Sequence, residues 1–255
     1  MIRSYIILGA PDPEMEMIER TLKEAWVPYA YAMRDGRRVH PGNAYEADGL
    51  SAPLPESETV LAVECGGPTV PADAVVVDHH RPGDPGYGRP PTEYLPASSI
   101  GQVLDWLGIE PTDEHRLVAA ADHCLSAAYR GECPGVDPDA LMRWRIESRA
   151  RFQRRDPADL LAQVEQTRAR IRELAVDGVA DLTGEPGGAL PEAPEAAARE
   201  GVAVIARVRE RDGRAKLVLL GAAEPDFVRY WMRTQRALGR EVYGDPMRGF
   251  AGAYL

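Results

Sequence analysis

Apolar positions in the first half of the chain alternate between two periods. Tyr5 to Leu8 is a short apolar run, and Met15, Ile18, Leu22 and Trp26 then recur at helical spacing, which predicts a strand followed by an amphipathic helix. Pro28 to Met33 supplies the next strand, and Val60 to Val63 and Val75 to Val77 predict two more, both short and buried. Residues 35 to 58, rich in Gly, Pro, Asp and Ser, read as a long loop with little regular structure, of the kind that often serves a site. After the Pro/Gly-rich stretch from Arg81 to Pro96, Ser98 or Ser99 caps a helix carrying Ile100, Val103, Leu104 and Leu107 on one face. Thr112 begins another helix that runs to about Tyr129, with Gly131 as its stop.

The second half opens with Asp137-Pro138 and Asp156-Pro157, each an N-cap followed by a proline suited to the first helical position, so residues 138 to 176 divide into two helices. Leu160, Val164, Ile171 and Leu174 form the clearer stripe. Asp177 to Leu190 is Gly-rich, and Val202 to Val208 and Ala215 to Leu220 flank Asp212-Gly213, a hairpin signal. Pro225 to Leu238 is an amphipathic helix stopped by Gly239, and the tail from Glu241 to Leu255 reads as one more strand or a Gly-rich loop. The pattern predicts an α/β chain: a parallel-sheet N-terminal domain over 1–136, a helical connector over 137–176 and a smaller α+β domain over 177–255.

Charge narrows the choice of partner. The 255 residues carry 30 Lys and Arg against 40 Asp and Glu, a net −10, which favours solubility and argues against binding nucleic acid by charge alone. Residues 141 to 155 are a local exception, with Arg143, Arg145, Arg149, Arg151, Arg154 and Arg155 against Glu147, and with Trp144 and Phe152 among them. Such a stretch can track phosphates and stack bases, but pairing with the chain's abundant acids is the preferred account. No run approaches the ~20 apolar residues of a membrane span, and Met1-Ile2-Arg3 leads into a strand-like run, so a cytoplasmic protein is expected. Cys65, Cys124 and Cys133 lack CxxC spacing and read as buried thiols.

Candidate chemistry gathers at strand ends. In a parallel sheet every strand exit points the same way, and three exits here carry acids: Asp12 and Glu14 after the first strand, Glu64 after the third, Asp78 with His79 and His80 after the fourth. Carboxylates crowded together repel unless a cation neutralises them, which implies a bound metal or a strongly raised pKa, with metal the simpler account. Asp122 adds to the case, because it lies on the apolar side of its helix with no lysine or arginine three or four residues away. Taken singly each residue has a plainer account: Asp12-Pro13 as a helix N-cap, Glu64 as a solvated loop acid, a histidine as a hydrogen-bonded structural group. His115 and His123 fall in that last class. The inference rests on coincidence.

An acidic pair after the first strand, an acid after a middle strand, Asp-His-His after the next and a later helical aspartate resemble the DHH phosphoesterase superfamily, over roughly residues 5 to 130, with a weaker echo at the C-terminus. The resemblance implies an α/β domain binding two divalent ions, usually manganese, and a smaller C-terminal domain closing over a phosphorylated substrate. By position, Leu8 to Glu14 falls on the family's His-x-x-Pro-Asp-x-Asp segment, Glu64 on its bridging aspartate, Asp78-His79-His80 on the name-giving motif and Asp122 on the last ligand. His79 then binds metal and His80 faces the substrate phosphate. The tail from Tyr243 to Gly252 looks like a divergent form of the family's Gly-rich substrate segment, with Arg248 and Gly249 as its substrate-binding residues.

The departures matter. Leu8 stands where a histidine ligand is expected, and Glu14 and Glu64 replace aspartates. One metal position keeps Glu14, Glu64, His79 and Asp122. The other keeps Asp12 and Glu64, with Asp78 as a further candidate, and is weak, empty or completed from elsewhere, for instance by His40 on the long loop. The resemblance implies hydrolysis of a small phosphorylated, nucleotide-like substrate through a metal-bound hydroxide, with one or two Mn2+ (or Mg2+) ions and with Asp78 and His80 in catalysis. The alternative is a divergent relative that binds a nucleotide or protein partner without hydrolysis. A metal site turned to other chemistry ranks third, nucleic acid ranks below a small substrate, and a homodimer is compatible with the sequence.

Overall fold

The computed structural model describes residues 4–55, 59–210, 213–221 and 224–255. Met1 to Arg3, and Asp212 of the expected hairpin turn, lie outside the described residues. The chain groups into two units, one of residues 1–89 with 93–122 and the other of residues 90–92 with 123–255.

In the first unit, β1 (Ser4–Leu8) runs down the middle of a sheet whose Ile6, Ile7 and Leu8 are fully buried, each such side chain contributing about 1.5–3 kcal/mol. Asp12 caps α1 (Pro13–Glu24) by accepting from the backbone N–H of Met15 at 2.7 Å. β2 (Tyr29–Arg34) pairs parallel with one edge of β1. The long loop holds two short strands, β3 (Arg37–Arg38) and β4 (Gly49–Leu50), both antiparallel to β2, so it has more regular structure than its composition suggests. β5 (Thr59–Val63) pairs parallel with the other edge of β1, and β6 (Val75–Val77) follows it. The order β3-β2-β1-β5-β6 reverses direction at β1, the switch point where open α/β sheets place ligands. β6 was expected to be buried, but as an edge strand it leaves Val76 half exposed.

After α2 (Tyr94–Ala97), α3 (Ser99–Leu107) is capped by Ser98, whose Oγ accepts from Gly101 N–H at 3.1 Å, and it packs on α1 and β6. The expected helix from 112 to 129 is broken. α4 (Asp113–His123) ends and α5 (Leu125–Tyr129) begins across Cys124, whose φ of −153° is extended. Trp26, counted on the apolar stripe of α1, is instead 93% exposed, because the helix ends before it and its φ of +56° turns the chain away.

The second unit continues with α6 (Pro138–Gln153) and α7 (Pro157–Leu174), capped by Asp137 and Asp156 as their sequences predict. β7 (Ala175–Val176) and β8 (Val179–Asp181) lead into α8 (Ala193–Glu200), a helix that no stripe of large apolar residues announces. β9 (Ala203–Arg209) and β10 (Ala215–Leu220) pair antiparallel, and α9 (Pro225–Ala237) precedes β11 (Val242–Asp245) and β12 (Phe250–Tyr254). The tail is thus a hairpin and not a single strand. The sheet runs β11-β12-β10-β9-β8-β7, mixed because β8 and β9 are parallel. Small residues Ala193, Ala196 and Ala197 of α8 pack with Ile171 of α7 and Val204 on one face, and Val228, Trp231 and Met232 of α9 cover the other. Cys124 and Cys133 are buried with their sulfurs 2.9 Å apart. Among the described residues no helix is long and apolar enough to cross a membrane.

The arginine-rich stretch lies on α6. Arg145 Nη2 meets Glu195 Oε2 at 2.6 Å, Arg149 Nη1 meets the same oxygen at 3.2 Å, and Arg149 and Arg155 both pair with Glu192. Tyr129 also donates to Glu195, which is fully buried. Burial alone would raise the Glu195 carboxyl, but Arg145, Tyr129 and Arg149 outweigh it and hold it below the usual range. Glu195→Ala strips the counter-charge from the half-buried Arg145 and Arg149 and is expected to cost about 3 kcal/mol in denaturant melts at pH 7. Because the folded value is lowered, this stabilisation is fully present above about pH 4.3 and is lost as pH falls through the folded value, so wild type and variant converge in acid.

Candidate metal centre

Glycine sets the spacing at the centre of the site. Gly9 leaves β1 beside the end of β5, and a Cβ there would lie 2.4 Å from the Glu64 carbonyl and 2.9 Å from the Val63 carbonyl. Only a residue without a side chain allows this approach. Glu64 itself adopts φ +48°, a left-handed conformation that costs a non-glycine residue about 1–3 kcal/mol and turns its side chain out of the strand pattern. Its N–H still bonds the Val77 carbonyl at 3.0 Å, so β6 delivers Asp78, His79 and His80 alongside it.

The carboxylates converge on one imidazole. His79 Nε2 lies 2.9 Å from Asp122 Oδ2, 3.4 Å from Glu64 Oε1 and 3.8 Å from Glu14 Oε2, and all but Asp122 are buried. Asp122, expected to be buried, keeps 29% of its side chain exposed, and the partner its own helix could not supply is His79. Glu14 Oε1 accepts from the Ile100 N–H at 3.0 Å, whereas Glu14 Oε2 and Glu64 Oε1 are buried and accept no hydrogen bond. Such oxygens are costly unless a cation takes them. Ligand atoms of Glu64, His79, His80 and Asp122 also lie within 4.8 Å of one another, a mixed nitrogen and oxygen set suited to a divalent ion.

Electrostatics agrees with the geometry. Burial, then the charges of Glu64 and Asp122, push the Asp12 carboxyl well above its usual value. Burial, then Asp122 and Glu64, do the same to Glu14. Burial also pushes Glu64 up, but His79 and His80 outweigh it and leave its carboxyl lowered.

Asp78 does something different. Its Oδ1 accepts from the N–H of His79 at 2.7 Å, from the N–H of His80 at 3.0 Å and lies 2.9 Å from His80 Nδ1, while Oδ2 accepts from the Tyr45 hydroxyl at 2.7 Å. Burial would raise this carboxyl, but the bonds from His80 and Tyr45 hold it at about 2. With both oxygens engaged by protein donors, Asp78 here orients His80 through Nδ1, turning Nε2 to the opposite side of the ring. Tyr45 comes from the long loop and was not singled out by the sequence.

The remaining candidates are placed as follows. Leu8 is fully buried. His40 is exposed, and its Nδ1 accepts from the Gly42 N–H at 3.1 Å. His115 is structural, its Nδ1 accepting from Thr112 N–H and its Nε2 lying 3.2 Å from Thr21 Oγ1. Arg248 and Gly249 belong to the second unit, in the turn between β11 and β12.

No protein-family model matches the chain, and neither does any curated protein sequence. Among solved structures, one similar to it is the pGpG-specific phosphodiesterase PggH from Vibrio cholerae, at 14% identity and a TM-score of 0.44, with 100% of this chain and 92% of that one covered.

Three outcomes follow from the carboxylate crowd and the glycine that spaces it. Mn2+ is expected to raise the melting temperature of the chelator-treated protein, and Glu14→Gln to raise it without metal while shrinking the Mn2+-induced shift, because the amide keeps the Ile100 bond and removes one like charge. Gly9→Ala should displace Glu64, cost about 1–3 kcal/mol and weaken Mn2+ binding by calorimetry.

Proposed function

We propose that this chain is a divalent-metal-dependent phosphoesterase acting on a small phosphorylated, nucleotide-like substrate. The observation that carries the reading is the convergence of Glu14, Glu64 and Asp122 on His79 Nε2, with two buried carboxylate oxygens lacking any other partner. These four residues would hold an ion, and Asp12 lies in the same electrostatic field. A bound divalent cation supplies Lewis acidity toward phosphoryl oxygens and a lowered pKa for water. Manganese or magnesium suits the oxygen-rich donor set.

The protein's own groups have distinct tasks in this reading. Asp78 holds the His80 ring through Nδ1, so that Nε2 can donate to a phosphate oxygen or pass a proton to a leaving oxygen. Tyr45 fixes Asp78 from its other oxygen. The acidic surface, net −10, favours a small substrate over a long polymer.

A second reading has one specific support. Leu8 fills with hydrocarbon the position at which the DHH pattern has a ligand, and it is fully buried, so a one-ion or non-hydrolytic nucleotide-binding protein fits the same scaffold. Turnover separates the two. A screen of nucleotides, cyclic dinucleotides and pyrophosphate with Mn2+ is expected to find multiple turnover that EDTA stops. Asp122→Ala and His79→Ala should each lower it by at least about 100-fold while circular dichroism stays native. Full activity in either variant sinks the hydrolytic reading, and ligand-induced stabilisation without turnover selects the second.

A further inference from the structure

Arg81 follows the Asp78-His79-His80 segment directly, and like Arg37 and Arg116 of its unit it forms no ion pair among the described residues, in contrast to others. Arg34, Arg38 and Arg89 of the same unit each meet a carboxylate, Asp48, Glu19 and Glu93 respectively. The Arg81 guanidinium meets none within 4.0 Å among the described residues, in a chain where acids outnumber bases 40 to 30. Instead its Cζ lies 3.1 Å from the centroid of the Tyr45 ring.

Both halves of this pair are held from behind. Arg81 N–H donates to Asp84 Oδ2 at 2.6 Å and Asp84 N–H returns to the Arg81 carbonyl at 3.0 Å, closing a turn. That turn is tied down where Gly86 N–H meets the Asp78 carbonyl at 3.0 Å, and Gly86 passes so near His79 that a Cβ would lie 2.7 Å from the His79 Cβ. On the other side, Ala47 N–H bonds the Gly66 carbonyl at 2.9 Å and Gly66 N–H bonds the Ala44 carbonyl at 3.1 Å, locking Tyr45 beside the segment that carries Glu64. The Tyr45 hydroxyl then reaches Asp78.

We infer that Arg81, whose guanidinium lies over the Tyr45 ring, is the residue that receives the phosphate group of the ligand. Resting on the phosphoesterase reading, this assigns the substrate's anionic end to a specific side chain. A guanidinium stacked by its face keeps its edge N–H groups in one plane, and that fork matches two phosphate oxygens. The site also needs such a group, because Asp12, Glu14, Glu64, Asp78 and Asp122 would repel an anion that only the metal attracted. Arg81 offers a fixed positive charge one residue from His80, with no acid to release first.

The test is calorimetric titration of the Mn2+-loaded full chain with inorganic phosphate, which reads the site whether or not a substrate is turned over. Arg81→Ala is expected to weaken phosphate binding by about ten- to hundredfold while leaving Mn2+ affinity unchanged. Arg81→Lys, which keeps the charge and loses the fork, should fall between the two, and Tyr45→Leu, which removes the ring beneath, should weaken binding several-fold. Arg89→Ala, a control for net charge, should bind phosphate as wild type does. Equal phosphate affinity in wild type and Arg81→Ala, or no phosphate binding by wild type, overturns the assignment. Loss of Mn2+ affinity in Arg81→Ala also counts against it, since that marks a structural role. Arg81-dependent phosphate binding without turnover of any phosphoester would leave this inference standing and remove the hydrolytic reading.

Discussion

Like-charge repulsion among carboxylates, two buried and two half-buried, governs the first unit. Asp12, Glu14, Glu64 and Asp122 share one edge of the sheet, and two of them carry pKa values driven up by burial and by one another. A sequence selected for stability alone would not keep Asp12 and Glu14 as acids, because burial and like charges favour their neutral forms in the fold. Backbone features that look costly in isolation follow from holding the carboxylates together. The left-handed φ of Glu64 and the missing side chain of Gly9 bring β1 and β5 close enough for Glu14 and Glu64 to face the same imidazole.

The second unit solves the opposite problem with opposite charges. Glu195 is as buried as Glu14, yet its carboxyl is lowered where that of Glu14 is raised, because Arg145, Arg149 and Tyr129 surround it. The stretch whose charge and aromatics suggested a track for nucleic acid spends Arg145, Arg149 and Arg155 on Glu192 and Glu195. A buried acid with cations around it is a strut, whereas a buried acid among acids is a candidate cation site, and burial alone does not distinguish them.

Much of this was legible in the sequence wherever a local rule decides the outcome. The apolar runs of β1, β5 and β6, and the Asp-Pro caps of α6 and α7, appear where patterning and capping place them. The strand-end acids and Asp122 were identified as candidates from position, and the structure gathers Glu14, Glu64, His79 and Asp122 around one nitrogen. What stayed hidden depends on distant packing. Nothing local in Asp122-His123-Cys124 stops a helix, yet the chain breaks there. The alanines of α8 give no stripe of large residues, and their helix is stabilised by α7. Tyr45 lies 33 residues from the Asp78 it holds, so no spacing rule links them.

The long loop is fastened to the edge that carries Glu64 by backbone groups, Ala47 N–H to Gly66 and Gly66 N–H to Ala44. Main-chain bonds of this kind do not depend on which side chains the loop carries. Exposed positions such as His40, Pro41, Gly42 and Glu46 are therefore free to vary without loosening the anchor. Evolution can thus rewrite the loop's outer surface while the edge that carries Glu64, Asp78 and His79 is inherited intact.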